Sequence, residues 1–332
     1  MRFQRIHVLQ VIVSLIFYIF LWIIRETFPQ YGQFVTLLIF YTALGQAFNI
    51  FLGMTGYVDF GYVAFLALGM YGGGLAVKIA AEAGLQPVLA LVLGPLLASL
   101  MAAAVASAVG GVALRLRGAY FAIATIGVNE GLRYLIEGAK IWGGSEGLII
   151  ARDLRSLFGD EGFSYVTTIY ADTFLIFTAV AAAITTWLIK NSRIGYGLAA
   201  LREDETAARV MGVNTTAYKI IAFTISALFG GLIGSAWGLK IVAIYPPEAF
   251  NITYTVEAII IVVLGGMGTL LGPIIGGSIY TLAKYYLGVL IPGFQLLVFS
   301  AILIIVAVAF PYGLLGHIRG YIRNYALREL LR

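Results

Sequence analysis

The sequence predicts an all-α integral membrane bundle of about eight to ten transmembrane helices, some of them broken or re-entrant. Three observations lead there. Apolar residues fill 61% of the 332 positions and charged residues only 11%, a mix that no water-soluble core could absorb. The apolar residues gather into runs close to the ~20 residues that a bilayer-spanning helix requires. Many of the 40 glycines recur at every fourth position, a spacing that lets helix backbones approach closely in lipid. The whole chain, 1–332, is therefore expected to form one transmembrane domain with no room for a soluble one.

The first run, 8–24, follows a short basic segment and superficially resembles a secretory leader. It is longer than a leader core and ends at Arg25-Glu26 without a small-x-small site, so a retained first helix is expected. Further runs follow at about 33–52, 62–80, 87–110, 119–137, 166–189, 220–242, 253–265, 273–290 and 295–312. With the N-terminus inside, the segments placed inside hold thirteen of the 21 lysines and arginines and those placed outside hold five. That asymmetry puts both termini, including a tail over 314–332, in the cytoplasm of a multi-pass cell (inner) membrane protein. The net charge of +5 comes from basic residues at the ends of apolar runs and forms no nucleic-acid patch.

Two connections are long. The outer one, 138–165, reads as a small cap or as a plain connector. The inner one, 190–219, contains a short helical segment in which Glu205 and Arg209 stand i,i+4 in the favourable order, with Gly212 and Asn214 as stops. Gly230, Gly234 and Gly238 are expected to form one packing ridge, Gly268, Gly272 and Gly276 another, and Gly69 and Gly73 a third.

Two glycine-rich breaks interrupt apolar runs, one in each half of the chain: 53–61 and 265–273. Paired breaks point to a translocation path, because exposed backbone is tolerated in a membrane only where it lines a cavity or is covered by protein. An ordinary cytoplasmic turn fits the first break equally well. Path candidates are Gly53, Thr55, Gly56, Tyr57, Asp59 and Gly61 in the first break, and Gly265, Gly266 and Gly268 in the second, with Glu257 nearby. Charges inside apolar runs are costly, and Asp59 and Glu257, each close to a break, are the best candidates for lining or gating the path. Glu130 and Arg133, at i,i+3, are expected to neutralise each other.

Nothing in the sequence suggests catalysis. There is no phosphate loop and no zinc-protease motif. Cysteine is absent, and the two histidines lie at opposite ends of the chain, so no metal centre or catalytic triad is expected.

The run LGMTGYVDFGYVAFLALGMY, from Leu52 to Tyr71, resembles the first signature of the LivM-type permeases of branched-chain amino acid ABC transporters. Four further runs resemble that family's signatures in the same order: LRLRGAYFAIAT (114–125), WGGSEGL (142–148), SRIGYGLAALREDETAARVMGVN (192–214) and LGGMGTLLGP (264–273). PYGLLG (311–316) resembles its C-terminal ending. Tyr62 departs from the pattern, since many relatives carry histidine there.

The resemblance implies an importer permease for branched-chain or other hydrophobic amino acids, with urea or short amides as the alternative cargo. It also implies three kinds of partner: a second related permease, two cytoplasmic ATPase subunits that bind ATP and magnesium, and an external substrate-binding protein. No cofactor is then bound by this chain. The segment Glu205-x-Ala207-Ala208-x-x-x-Gly212 resembles the coupling motif that importers insert into the ATPase, with Arg202, Glu203, Asp204 and Arg209 completing a charged face. An ion-coupled secondary transporter is the rival reading, and a membrane enzyme or receptor subunit the second.

Overall fold

A computed structural model describes residues 2–290, 293–294, 297–298, 301 and 313–321. The expected span at 295–312 and the end of the tail, 322–332, fall mostly or wholly outside these residues. Among the described residues, seven helices are long and apolar enough to cross a membrane, in line with a polytopic all-α membrane protein. Helix α5 (Ala119–Gly138) is not one of them, because it carries Glu130, Arg133 and Glu137. Glu130 and Arg133 do pair, at 2.9 Å, and Glu137 adds a second, looser contact at 3.7 Å.

The chain divides into two compact units. The first comprises residues 1–56, 179–215 and 257–332. Its N-terminal helix α1 (Arg2–Thr27) exposes Ile12, Ile16, Ile19 and Ile23 but buries Gln10, Ser14, Tyr18 and Leu21, which recur about once per turn on one stripe. Helix α2 (Gly32–Phe48) runs on into a single π-helical turn, Asn49–Gly53, and every position from 38 to 55 is buried. A helix apolar and buried all round lies at the centre of its bundle. Its small residues set the packing: Gly45 lies against Ile261 and Pro273, and Thr42 against Gly277. Those partners belong to α12 (Thr253–Gly265) and α13 (Gly272–Leu290).

The second unit comprises residues 57–178 and 216–256. Its core is α3 (Val63–Ala83) packed on α4 (Pro87–Ala113) and on α10 (Thr215–Ile241). Two of the expected glycine ridges meet here. A Cβ on Gly69 would sit 2.1 Å from the Gly231 carbonyl oxygen, and one on Gly234 would sit 1.9 Å from that of Leu66. The Ser235 hydroxyl bridges the same contact by donating to Gly69 O at 2.9 Å. The expected ridge of Gly268, Gly272 and Gly276 is not one surface. Gly272 and Gly276 share α13, whereas Gly268, at φ +72, lies outside any helix in the turn before it.

The long connection over 138–165 folds. After two short 3₁₀ turns, the strand β1 (Leu148–Ile149) pairs antiparallel with β2 (Ala243–Ile244), and α6 (Ala151–Tyr165) passes through a π-helical turn into α7 (Ala171–Lys190). One ion pair in this unit was hidden in the apolar pattern. Asp172 on α7 is fully buried, and both its oxygens accept from Lys240 Nζ on α10 at 3.1 Å.

Gly234→Ala should lower the thermal midpoint of the detergent-purified protein, with a cost of about 1–3 kcal/mol from overpacking against fixed backbone. Gly111→Ala, at a helical position where nothing lies within 4 Å, should be neutral or slightly stabilising. Equal effects at the two sites would remove the close-packing account.

Candidate functional site

Both expected breaks do interrupt helices, and both turn on glycine in the left-handed region: Gly56 at φ +74 in the first, Gly266 at +123 and Gly268 at +72 in the second. Side chains are strongly disfavoured at such angles. Each break also leaves carbonyls at a helix C-terminus without intrahelical partners, at the negative end of the helix dipole.

Within the first unit the two breaks are tied directly together. Asn49, in the π-helical turn, accepts from Gly268 N at 2.9 Å through Oδ1 and donates to Thr269 O at 2.9 Å through Nδ2. One turn earlier, Gln46 donates to Leu270 O at 3.0 Å. Gly53 touches both Asn49 and the Gly268 backbone, which leaves no space for a side chain. Thr269 staples the turn from inside, donating to Gly266 O at 2.8 Å and accepting from Gly272 N at 3.0 Å. Gly265 lies on the Gly272 backbone, and Gly313, which opens α14 (Gly313–Tyr321), lies on that of Gly266.

Two cations complete the knot. Arg202 Nη1 donates to Gly53 O at 2.7 Å and to Met267 O at 3.2 Å, so one guanidinium holds the ends of both breaks. Lys190 Nζ, from the last residue of α7, donates to Gly268 O at 2.9 Å. Desolvation lowers the Arg202 pKa and neighbouring Glu203 opposes the shift, but the guanidinium stays charged. Positive groups at helix C-termini both satisfy the orphan carbonyls and oppose the dipoles.

Arg202 is carried by α8 (Arg193–Glu203), which Ser192 caps by accepting from Gly195 N. Asp204 then adopts an extended backbone and caps α9 (Glu205–Val210), accepting from Thr206 N at 2.7 Å and Ala207 N at 3.0 Å. Glu205 and Arg209 pair at 2.9 Å, in the order their spacing predicts, and Gly212 at φ +87 ends the turn. The expected charged face is exposed at Arg202, Glu203, Asp204 and Arg209, and some of its groups also have partners within the chain. Arg202 serves the breaks and Asp204 the cap, while the Glu205 carboxylate also accepts from Thr215 and is only 12% exposed. Ala208 is buried, whereas Glu203, Thr206, Ala207, Arg209, Val210 and Met211 face outward, the last two more than four-fifths exposed.

The path candidates separate accordingly. Gly53, Gly265, Gly266 and Gly268 come together in the knot. Thr55 is buried and bonds the carbonyl of Phe51 in its own turn. Tyr57, Asp59 and Gly61 belong to the second unit. There Asp59 is fully buried and accepts from Gly61 N at 2.8 Å, Gly61 lies on the backbone of Thr125, and the Lys219 ammonium sits 4.4 Å over the Tyr57 ring. Glu257 stands eight residues before Gly265, about 12 Å along α12, and is bonded to Lys284 of α13. Sequence reasoning passed over Gln46, Asn49 and Lys190. Two amides inside an otherwise apolar run were the available signal for the first two.

A multi-pass helical membrane protein whose broken helices meet inside the bundle has the build of a transport permease. Residues 30–307 match the family described as branched-chain amino acid transport system, permease component, and the chain belongs to that family. It is 29% identical over 269 residues to the high-affinity branched-chain amino acid transport system permease protein LivM of Salmonella typhimurium, and equally to that of Escherichia coli. Those alignments cover 75% of this chain and 61% of each relative's length. The autoinducer 2 import system permease protein LsrC of Yersinia pseudotuberculosis is 31% identical over 174 residues, 51% of this chain and 46% of its own. LivH of Escherichia coli is 31% identical over 157 residues, 47% of this chain and 50% of its own. No solved structure matches the chain.

Asn49→Leu should destabilise the protein by about 1–2 kcal/mol, since it strands the Gly268 N–H and the Thr269 carbonyl in a half-buried turn. Thr281→Val, which removes a bond to Gly277 O within one turn of α13, should cost less than about 1 kcal/mol. Thermal unfolding in detergent compares the two.

Proposed function

We propose that this chain is the membrane permease of an ATP-binding-cassette importer for branched-chain or other hydrophobic amino acids. Separate ATPase subunits, two per complex, bind ATP and magnesium, a second permease of the same family completes the pore, and an external binding protein delivers the cargo. Both termini and the α8–α9 hairpin then face the cytoplasm, in keeping with the lysine and arginine distribution. The observation that carries the reading is Arg202: the residue two before Asp204, and so at the root of the exposed hairpin, also holds the ends of both helix breaks. A push on α9 from a closing ATPase is passed by α8 to Gly53 and Met267, where left-handed glycines provide the hinges. The family membership and the two LivM relatives favour amino acids as cargo. LsrC, with a different named cargo, makes the substrate class something to measure.

The complete complex, reconstituted in liposomes, should accumulate leucine only with ATP and the binding protein. Uptake by this chain alone on an ion gradient would favour a secondary transporter, and uptake of urea or a short amide in place of leucine would reassign the cargo. Arg202→Gln should reduce uptake tenfold or more while ATP hydrolysis persists, and Glu205→Lys should do the same by breaking the hairpin's internal bridge. Normal coupling in both variants would refute the lever.

A further inference from the structure

Helix α5 is built unlike the other long helices of its unit. It follows α4 after residues 114–118, packs along α3 and α4, and at 1.5 Å per residue reaches about 30 Å, the thickness of a bilayer's hydrocarbon layer. Phe121, Thr125, Asn129 and Ile136 form its buried side. On the opposite side Tyr120, Ile123, Gly127, Gly131 and Tyr134 are exposed, three or four residues apart, in one stripe. A Cβ on Gly127 or Gly131 would meet nothing within 4 Å, so the space beside the stripe is open.

Glu130 and Arg133 stand at the edge of that stripe. Glu130 lies eleven residues into the helix, about 17 Å from its start and so well inside the layer. The two pair at 2.9 Å, yet their side chains stay 44% and 25% exposed, respectively. A charge facing lipid at that depth costs about 3 kcal/mol. Helix α4 has the composition that lipid demands: from Val88 to Leu100 every exposed position is valine or leucine. Water solvates the free sides of Glu130 and Arg133 without that cost, and ionisable groups inside a membrane bundle characteristically mark a substrate path.

We propose that the open stripe of α5 lines the aqueous translocation path, with Glu130 and Arg133 as a charged pair inside it. Spacing alone pairs these residues for mutual neutralisation; the structure adds that the pair is wet. Gly61, at the end of the first break, lies on the backbone of Thr125, so α5 adjoins that break. The assignment rests on the importer reading above for the identity of the cargo.

The chain has no cysteine, so single cysteines can report on it directly. In the reconstituted complex, Gly127→Cys and Gly131→Cys should react with a permanently charged methanethiosulfonate at least tenfold faster than Leu96→Cys and Leu100→Cys on the aliphatic face of α4. Tyr134→Cys, on the same stripe, repeats the measurement without replacing a glycine. Rates on α5 as slow as those on α4 overturn the proposal. Cysteines on α5 that react in the detergent-purified chain but not in the complex also overturn it, because the second permease then covers the stripe. Adding Glu130→Gln to Gly131→Cys should lower the ratio of cationic to anionic reagent rates at least threefold, since a nearby negative charge is lost. An unchanged ratio overturns the pair's place in the path. Fast labelling without ATP-driven leucine uptake would sink the importer reading and keep the path, whereas slow labelling with normal uptake would sink the path alone.

Discussion

Two helices that stop inside a membrane protein leave carbonyls facing one another, and something positive or hydrogen-donating must stand between them. Wherever burial excludes water, an orphaned carbonyl is costly. Here Asn49, Lys190 and Arg202 fill that position, drawing on three separate stretches of chain. The left-handed glycines are what make the close approach possible, and the cations are what make it tolerable. Because Arg202 sits on α8, the stability of the breaks and the placement of the α8–α9 hairpin are one problem with one solution.

Much of the fold was legible from the apolar runs. Their edges match the helices to within a few residues wherever the chain is described, because twenty apolar residues in lipid have essentially one low-energy option. The glycine breaks were legible for a related reason: a cluster such as Gly265-Gly266-Met267-Gly268 satisfies no helix. The Gly69 and Gly234 ridges were legible as ridges, though nothing in one dimension said that they would meet nearly face to face.

The tertiary pairings were not legible. Lys284 finds Glu257 across 27 residues and Lys240 finds Asp172 across 68, and a list of intramembrane charges contains no such information. The inner hairpin shows the same limit in another form. Its charges read as an exposed face because spacing reveals helical neighbours but not which side the bundle occupies. Glu205 is largely covered, Arg202 reaches back to the Gly53 carbonyl while staying exposed, and Val210 and Met211 are more than four-fifths exposed. The longest sequence reach among the knot's hydrogen bonds, from Gln46 to Leu270, lay furthest of all from any local pattern.

That last separation bears on how the protein is made. Helix α2 buries all its sides and carries Thr42, Gln46 and Asn49 toward partners that leave the ribosome 224 residues later for Gln46. At usual synthesis rates of 5–20 residues per second the wait is about 11 to 45 s. Throughout that interval α2 is a newborn segment with naked amides and no lasting neighbours on that side. Its unit can consolidate around α2 only once α12 and α13 have been made.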